Sequence, residues 1–296
     1  MTFNDNADIS GGKTSKRGRN AAIIGGGGGG LLVVVLLIAS QLTGVDLTGL
    51  AGGTSTTSSG DSSDVDNLSQ CKTGADANTD LDCRMKGAAA SLDDFWATEA
   101  PKLGVSYSSP TNLQLFTDST STGCGDATTD TGPFYCPVDK TIYLDTGFFD
   151  ELKTTYGATG GPLSQMYVVA HEWGHHIQNL AGILDNQSSA TGAGSQSVRI
   201  ELQADCFAGA WLQSATQTKD ENGVTFLKPI TEDQLKDALS AASAVGDDRI
   251  QKDSGAAVNS ESWTHGSSAQ RQKWLLNGYN GGADNCDTFT PSTATL

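Results

Sequence analysis

The sequence predicts an α+β fold behind a single N-terminal transmembrane helix, and three observations carry that reading. Residues 21–39 carry no charge and are just long enough to cross a bilayer as a helix. Residues 112–145 hold short alternating runs that read as strands. From Pro162 onward apolar residues recur at i, i+3 and i+4, the period of helices that bury one face.

The chain divides accordingly. Residues 1–20 hold Lys13, Lys16, Arg17 and Arg19 against Asp5 and Asp8, a basic tail on a chain whose net charge is −16. Bases before an apolar span and none close behind it place the tail in the cytoplasm and the body outside. Six consecutive glycines, 25–30, weaken a water-exposed helix by about 1 kcal/mol each. In lipid, unsatisfied backbone groups cost more than that, so residues 21–39 are expected to stay helical and transmembrane. The alternative is a cleaved signal peptide, since 31–39 alone has the length of an h-region, but no clean small-residue cleavage site follows. Residues 40–70 are a Ser/Thr/Gly/Asp tract with few large apolar groups and predict a flexible tether. The remaining residues, 71–296, suffice for one domain with a sizeable core. Their acidity argues against nucleic acid as a main partner.

Within that domain, Leu92, Phe95, Trp96 and Leu103 predict a helix over 84–103, with Gly104 as its stop. Residues 112–116 alternate as a strand, and 134–136 with 141–145 read as a hairpin. A short helix is expected over 148–156. The next helix opens with Pro162 in its first turn and carries Leu163, Met166, Tyr167, Ala170, Gly174, Ile177 and Ala181 on one stripe, with Gly182 at its C-terminal cap. A second is expected over about 198–213. Thr231-x-x-Gln234 and Ser267-x-x-Gln270 match the capping box and open a third and a fourth.

All six cysteines, Cys71, Cys83, Cys124, Cys136, Cys206 and Cys286, follow the apolar span, and none forms a C-x-x-C pair. An even number outside the cytoplasm suggests three disulfides. The simplest of the possible connectivities pairs neighbours: Cys71 with Cys83, Cys124 with Cys136, and Cys206 with Cys286.

The chemistry concentrates in His171-Glu172-Trp173-Gly174-His175, an H-E-x-x-H inside the strongest helical pattern of the chain. Histidines four apart share a helix face and can offer two neutral nitrogens to Zn²⁺. Glu172 lies beside them, placed as a general base for water. A catalytic zinc takes three protein ligands, and Glu201 on the following helix is the expected third. Asp205, one turn on, shares its face and can accept the second N–H of a ligand histidine. His176 sits about 100° around the helix from His175 and should face elsewhere. His265, before a capped helix, is a candidate donor to a developing oxyanion, with Tyr167 and Tyr279 as weaker candidates. Gly246-Asp247-Asp248-Arg249 reads as a helix-end turn with a local ion pair.

These residues carry a resemblance. The chain resembles the neutral zinc metallopeptidase family, membrane-anchored bacterial proteins with a zincin-type motif. The matching pieces are 132–137, 142–145, 169–180, Glu201-Leu-Gln-Ala-Asp-Cys206, Gly246-Asp-Asp-Arg249 and His265-Gly-Ser-Ser-Ala-Gln-Arg271, which span most of residues 71–296. The resemblance implies a zincin-like fold, zinc at His171, His175 and Glu201, and Glu172 as catalytic base. Trp173 stands where small or aliphatic residues are common in the family, without disturbing the ligands. The expected activity is hydrolysis of peptide or protein substrates at the outer face of the cell membrane. Two other classes stay open: a zinc-stabilised surface binding module without turnover, and a zinc hydrolase of cell-wall amides. The presence of Glu172 speaks against the first, because binding zinc does not require it.

Overall fold

The computed structural model describes residues 2–17, 65–186 and 188–296. In chain order, strands β1 (Thr14–Arg17) and β2 (Val65–Asp66) precede helices α1 (Gly74–Thr79) and α2 (Leu81–Glu99). Strand β3 (Asn112–Phe116), the hairpin β4 (Ser119–Thr122) and β5 (Gly125–Thr128), and strands β6 (Phe134–Cys136) and β7 (Thr141–Asp145) follow. The remainder is helical: α3 (Phe148–Thr154), α4 (Pro162–Leu180), α5 (Gln196–Ser214), α6 (Glu232–Ala244), α7 (Asp247–Asp253) and α8 (Ser268–Gly281).

One mixed sheet runs in the order β2-β1-β3-β7-β6. Its middle is parallel, β1 to β3 and β3 to β7, and both outer pairings are antiparallel. Every residue of β7 is buried, as a central strand with both faces covered requires. Leu113 and Leu115 of β3 and Ile142 and Leu144 of β7 meet Leu92 and Trp96 of α2 and Met166 and Val169 of α4 in one core. Trp211 of α5 is fully buried there, and its indole N–H donates to Ser91 Oγ at 3.0 Å, so this large ring is buried without leaving its polar edge unpaired.

The expected helices form where their local signals stand. Thr231 and Ser267 close reciprocal capping boxes with Gln234 and Gln270. The first long helix ends in a 3-10 turn, Ala100–Leu103, stopped by Gly104 at φ 77°. Pro162 occupies the first turn of α4, where its missing N–H is not needed. The N-cap of α4, Gly161, has no side chain to offer. Asp237 of α6 takes that part, accepting from Gly161 N and Ser164 N, both at 2.9 Å, and from the Thr159 hydroxyl. Three disulfides join Cys71 to Cys83, Cys124 to Cys136 and Cys206 to Cys286, the nearest-neighbour pairing.

Two expectations change, and a third falls outside the described residues. The transmembrane span expected at 21–39 lies outside the described residues, as do residues 18–64 generally; among the described residues no helix is long and apolar enough to cross a membrane. The amino-terminal residues are no detached basic tail. Phe3, Ala7 and Ile9 are fully buried and β1 is an inner strand of the sheet, so residues 2–17 belong to the same folded body as 71–296. The tether also ends earlier than residue 70: β2 pairs with β1, and Leu68 is buried beneath the Lys86 ammonium, which donates to its carbonyl at 3.0 Å. Both segments read as polar because their few apolar residues are isolated in sequence. Their burial depends on partners distant in the chain.

Candidate metal centre

The motif lies in the middle of α4, and α5 lies beside it. The two helices approach closely at Gly174, where an added Cβ would sit 2.9 Å from Ala204 Cα. Ala204 stands between Glu201 and Asp205 in sequence, so a side chain at 174 would push both carboxylates away from the histidines. His171, His175 and Glu201 thereby bring one ligand atom each within 4.8 Å of one another. His171 Nε2 lies 3.1 Å from Glu201 Oε2, and His175 Nε2 lies 3.5 Å from Glu201 Oε1.

The other ring nitrogens are engaged behind. His171 Nδ1 lies 2.9 Å from Asp205 Oδ1 and donates to it. His175 Nδ1 donates to Gln178 Oε1 at 2.8 Å. With Nδ1 of each ring engaged behind, Nε2 is the nitrogen turned toward Glu201, and it is the one that would face a metal. Two imidazole nitrogens and a carboxylate oxygen, converging from a helix pair, match the chemistry of a three-ligand zinc site, and the donor set fits that ion.

The electrostatics point the same way. Burial opposes a charge on His171, but Asp205 and Glu201 outweigh it and push its pKa up to about 10. Burial opposes a charge on Glu201 too, and His175, His171 and His265 outweigh it and hold the carboxyl well below its usual range. The cluster therefore favours a positive charge at its centre, and binding a cation there must displace the His171 proton. Glu172 is buried beside the histidines, and burial raises its carboxyl pKa. That moves a base of the carboxylate range toward the pH at which it exchanges protons efficiently.

Behind the ligands lies a network the sequence reading did not contain. Arg271 of α8 grips Asp205 with two N–H groups, Nε to Oδ2 at 2.8 Å and Nη2 to Oδ1 at 2.9 Å. Tyr167 O–H donates to Asp205 Oδ1 and accepts from Arg271 Nη2 at 3.1 Å. Tyr167 is therefore committed to the interior and is not placed as an oxyanion donor. Arg271 stood inside a recognised motif, but nothing local to it signalled a partner 66 residues away.

His176 faces away from the ligands, as expected: its ring contacts Tyr135 Oη at 3.0 Å and Ser108 O at 2.7 Å, and burial lowers its pKa to about 4. His265 sits near enough to Glu201 for each to shift the other's titration. Its Nδ1 lies 3.3 Å from Asp247 Oδ1, and Asp247 Oδ2 accepts from the backbone N–H groups of Thr264, His265 and Gly266 at 2.7–2.9 Å. The expected helix-end turn at 246–249 is corrected here. Asp247 opens α7 and fastens the His265 loop, Asp248 Oδ1 accepts from Ser268 N at 2.7 Å, and the local ion pair is Arg249 with Asp253 at 3.6 Å. Burial opposes a charge on His265, and Asp247 and Glu201 outweigh it, so its pKa is raised.

The Cys206–Cys286 bridge reaches the centre through hydrogen bonds. Cys286 O accepts from Gln203 Nε2 at 3.0 Å, Gln203 Oε1 accepts from Gln178 Nε2 at 3.0 Å, and Gln178 holds His175. We expect Cys286→Ser to lower stability by about 2–4 kcal/mol, the usual worth of a bridge closing a long loop. Zinc affinity should fall with it, because the lock on His175 loosens. Cys71→Ser should spare the metal. Denaturant titration and competition with a chelator measure both effects; a Cys286→Ser protein with unchanged zinc affinity would refute the link.

A family profile described as "putative neutral zinc metallopeptidase" matches residues 3–289. The chain is 51% identical over 226 residues to the uncharacterized protein Rv2575 of Mycobacterium tuberculosis, covering 75% of each. It is 41% identical over 210 residues to the uncharacterized protein YpfJ of Escherichia coli, covering 69% of each. No solved structure gives a significant match.

Proposed function

The chain belongs to the neutral zinc metallopeptidase family, and from that premise we propose that it is a zinc-dependent peptidase hydrolysing peptide bonds of peptide or protein substrates outside the cytoplasm. The observation that carries the reading is Glu172, a buried carboxylate beside a converging His171, His175 and Glu201 set, since a site that merely stored zinc would not need it. His171, His175 and Glu201 would hold a zinc ion, which when bound would supply Lewis acidity for a carbonyl and for an attacking water.

The protein's own groups do the rest. Glu172 takes the proton of the attacking water and returns it to the leaving nitrogen. Glu201 neutralises charge at the centre, while Asp205 and Gln178 hold the two imidazoles in register. In this reading His265, whose pKa Asp247 and Glu201 raise against burial, is the donor to the oxygen of the tetrahedral intermediate. Strand β6 is an edge of the sheet and is tied to α4 through Tyr135, whose hydroxyl meets His176 and Asn179 at 3.0 Å. As an edge strand among the described residues, it is the one this reading assigns to offer backbone groups to an extended substrate. Three disulfides suit an oxidising compartment, and attachment to a membrane through residues 21–39 belongs to the same reading.

We expect about one zinc per chain in protein purified without chelating resin, because among the described residues His171, His175 and Glu201 are the three-ligand set whose members are not tied up in a disulfide. His175→Ala should lose it by elemental analysis. Equal zinc in that variant would sink the assignment of the ligands.

A further inference from the structure

Behind the helix pair that carries the metal ligands, the protein holds a cleft of about 310 Å³, a size at which small-molecule sites begin. From α4 it takes Ile177 and Ala181, and from α5 Gln203 and Phe207. Ile177 lies about 200° around α4 from His175, and Gln203 the same angle around α5 from Glu201. Both helices therefore turn toward the cleft the side opposite their ligands, and the cleft is separate from the metal centre. Ile183, just beyond α4, extends the apolar wall, and the 3-10 turn after α8 closes the far side with Asp284, Cys286 and Asp287.

The walls are fixed without an occupant, as a preformed ligand site requires. The Phe207 ring is buried and stands edge-on to Trp96, with 5.1 Å between centroids. Cys286 is bonded to Cys206 of α5, and its carbonyl accepts from Gln203 Nε2 at 3.0 Å. The rim, by contrast, is charged with one sign. Asp284 and Asp287 are exposed, and among the described residues no basic side chain lines the cleft. Hydrogen bonds from the Thr290 hydroxyl and the Thr290 N–H hold the Asp287 carboxyl below its usual range, so it stays an anion.

We propose that this cleft binds a small organic cation, a free alkyl- or aryl-ammonium whose apolar body lies against Ile177, Ile183 and Phe207 and whose head meets Asp284 and Asp287. Charge complementarity selects that class. An apolar wall alone accepts any molecule of the right size, but two carboxylates at the mouth draw in a cation and repel an anion.

The purified full chain would be titrated calorimetrically with phenylpropyl-trimethylammonium and with phenylbutyrate, an anion of similar size. The quaternary nitrogen has no lone pair and cannot ligate a metal, so its binding is read independently of whether His171, His175 and Glu201 hold zinc. Saturable binding of the cation, and weaker or no binding of the anion, is the expected result. Ala181→Trp, which sets an indole at an exposed position of the wall, should abolish the cation's binding. Asp284→Asn should weaken it by up to about fivefold, the effect of losing one exposed ionic contact. Three results would each overturn the proposal: no saturable binding of the cation, an anion bound as tightly, or binding undiminished in Ala181→Trp. Ile183→Trp, half-buried on the same wall, makes the same block should Ala181→Trp not accumulate.

Discussion

Glu172→Gln is expected to retain zinc and to lose peptide hydrolysis by about 10²–10⁴-fold, the range general acid–base catalysis contributes. The substitution keeps the shape and burial of the side chain and removes only its ability to take and return a proton. None of the three ligands is touched, so the His171, His175 and Glu201 arrangement should survive, and so should metal content. The pairing of the two readouts carries the test. Loss of zinc together with activity would mean that Glu172 supports the site structurally. Wild-type turnover with zinc present would mean that another group moves the proton. The assay needs purified protein with a peptide library as substrate, which also reports the preferred residues around the scissile bond.

The second large effect is expected at Arg271. Its guanidinium and the Asp205 carboxylate form a buried pair, with side-chain exposures of 4% and 0% and a contact of 2.8 Å. Arg271→Met leaves Asp205 charged and without its cation in the interior. Breaking one half of such a pair costs about 3–5 kcal/mol, because the abandoned charge has no water to replace its partner. Asp205 also holds His171, so zinc affinity should fall by about 10–100-fold, as it does when an outer partner of a ligand histidine is removed. The double variant Asp205→Asn, Arg271→Met separates the two consequences. No unpaired charge remains in it, so stability should recover in part, while the weakened hold on His171 should keep zinc affinity low. Denaturant unfolding and chelator competition supply the measurements. Arg271→Met within 1 kcal/mol of the parent would show that the pair contributes little beyond packing.

The same two residues show where sequence reading succeeds and where it stops. Glu172 was legible because its partners are its neighbours. The spacing of His171 and His175 and the periodicity of 162–181 are properties of consecutive residues, and α4 realises them directly. Glu201 and Asp205 were legible for a related reason: four residues apart on a helical pattern, they share a face before any tertiary contact is known. The capping boxes at Thr231 and Ser267 and the stop at Gly104 are equally local. The disulfide pairing followed from taking neighbours in order. Arg271 was different. Its only distinguishing property is burial against Asp205, and burial of a charge 66 residues from its partner leaves no pattern in either segment.

The sequence by itself determined the helix that carries the motif, the face on which its histidines lie, the acidic pair beyond it and the cysteines that bridge. Each depends on rotation per residue, on capping or on the count and order of one residue type. The tertiary structure alone decided that Arg271 neutralises Asp205, that Asp247 fastens the His265 loop, and that β1 fills the sheet between β2 and β3. Those features are pairings between segments far apart in the chain. A strand of four residues such as Thr14–Arg17, polar throughout and with a basic end, has no preference strong enough to announce itself. It becomes a strand because the open side of β3 needs hydrogen bonds and because the indentations at Gly74 and Gly87 receive the residues before it.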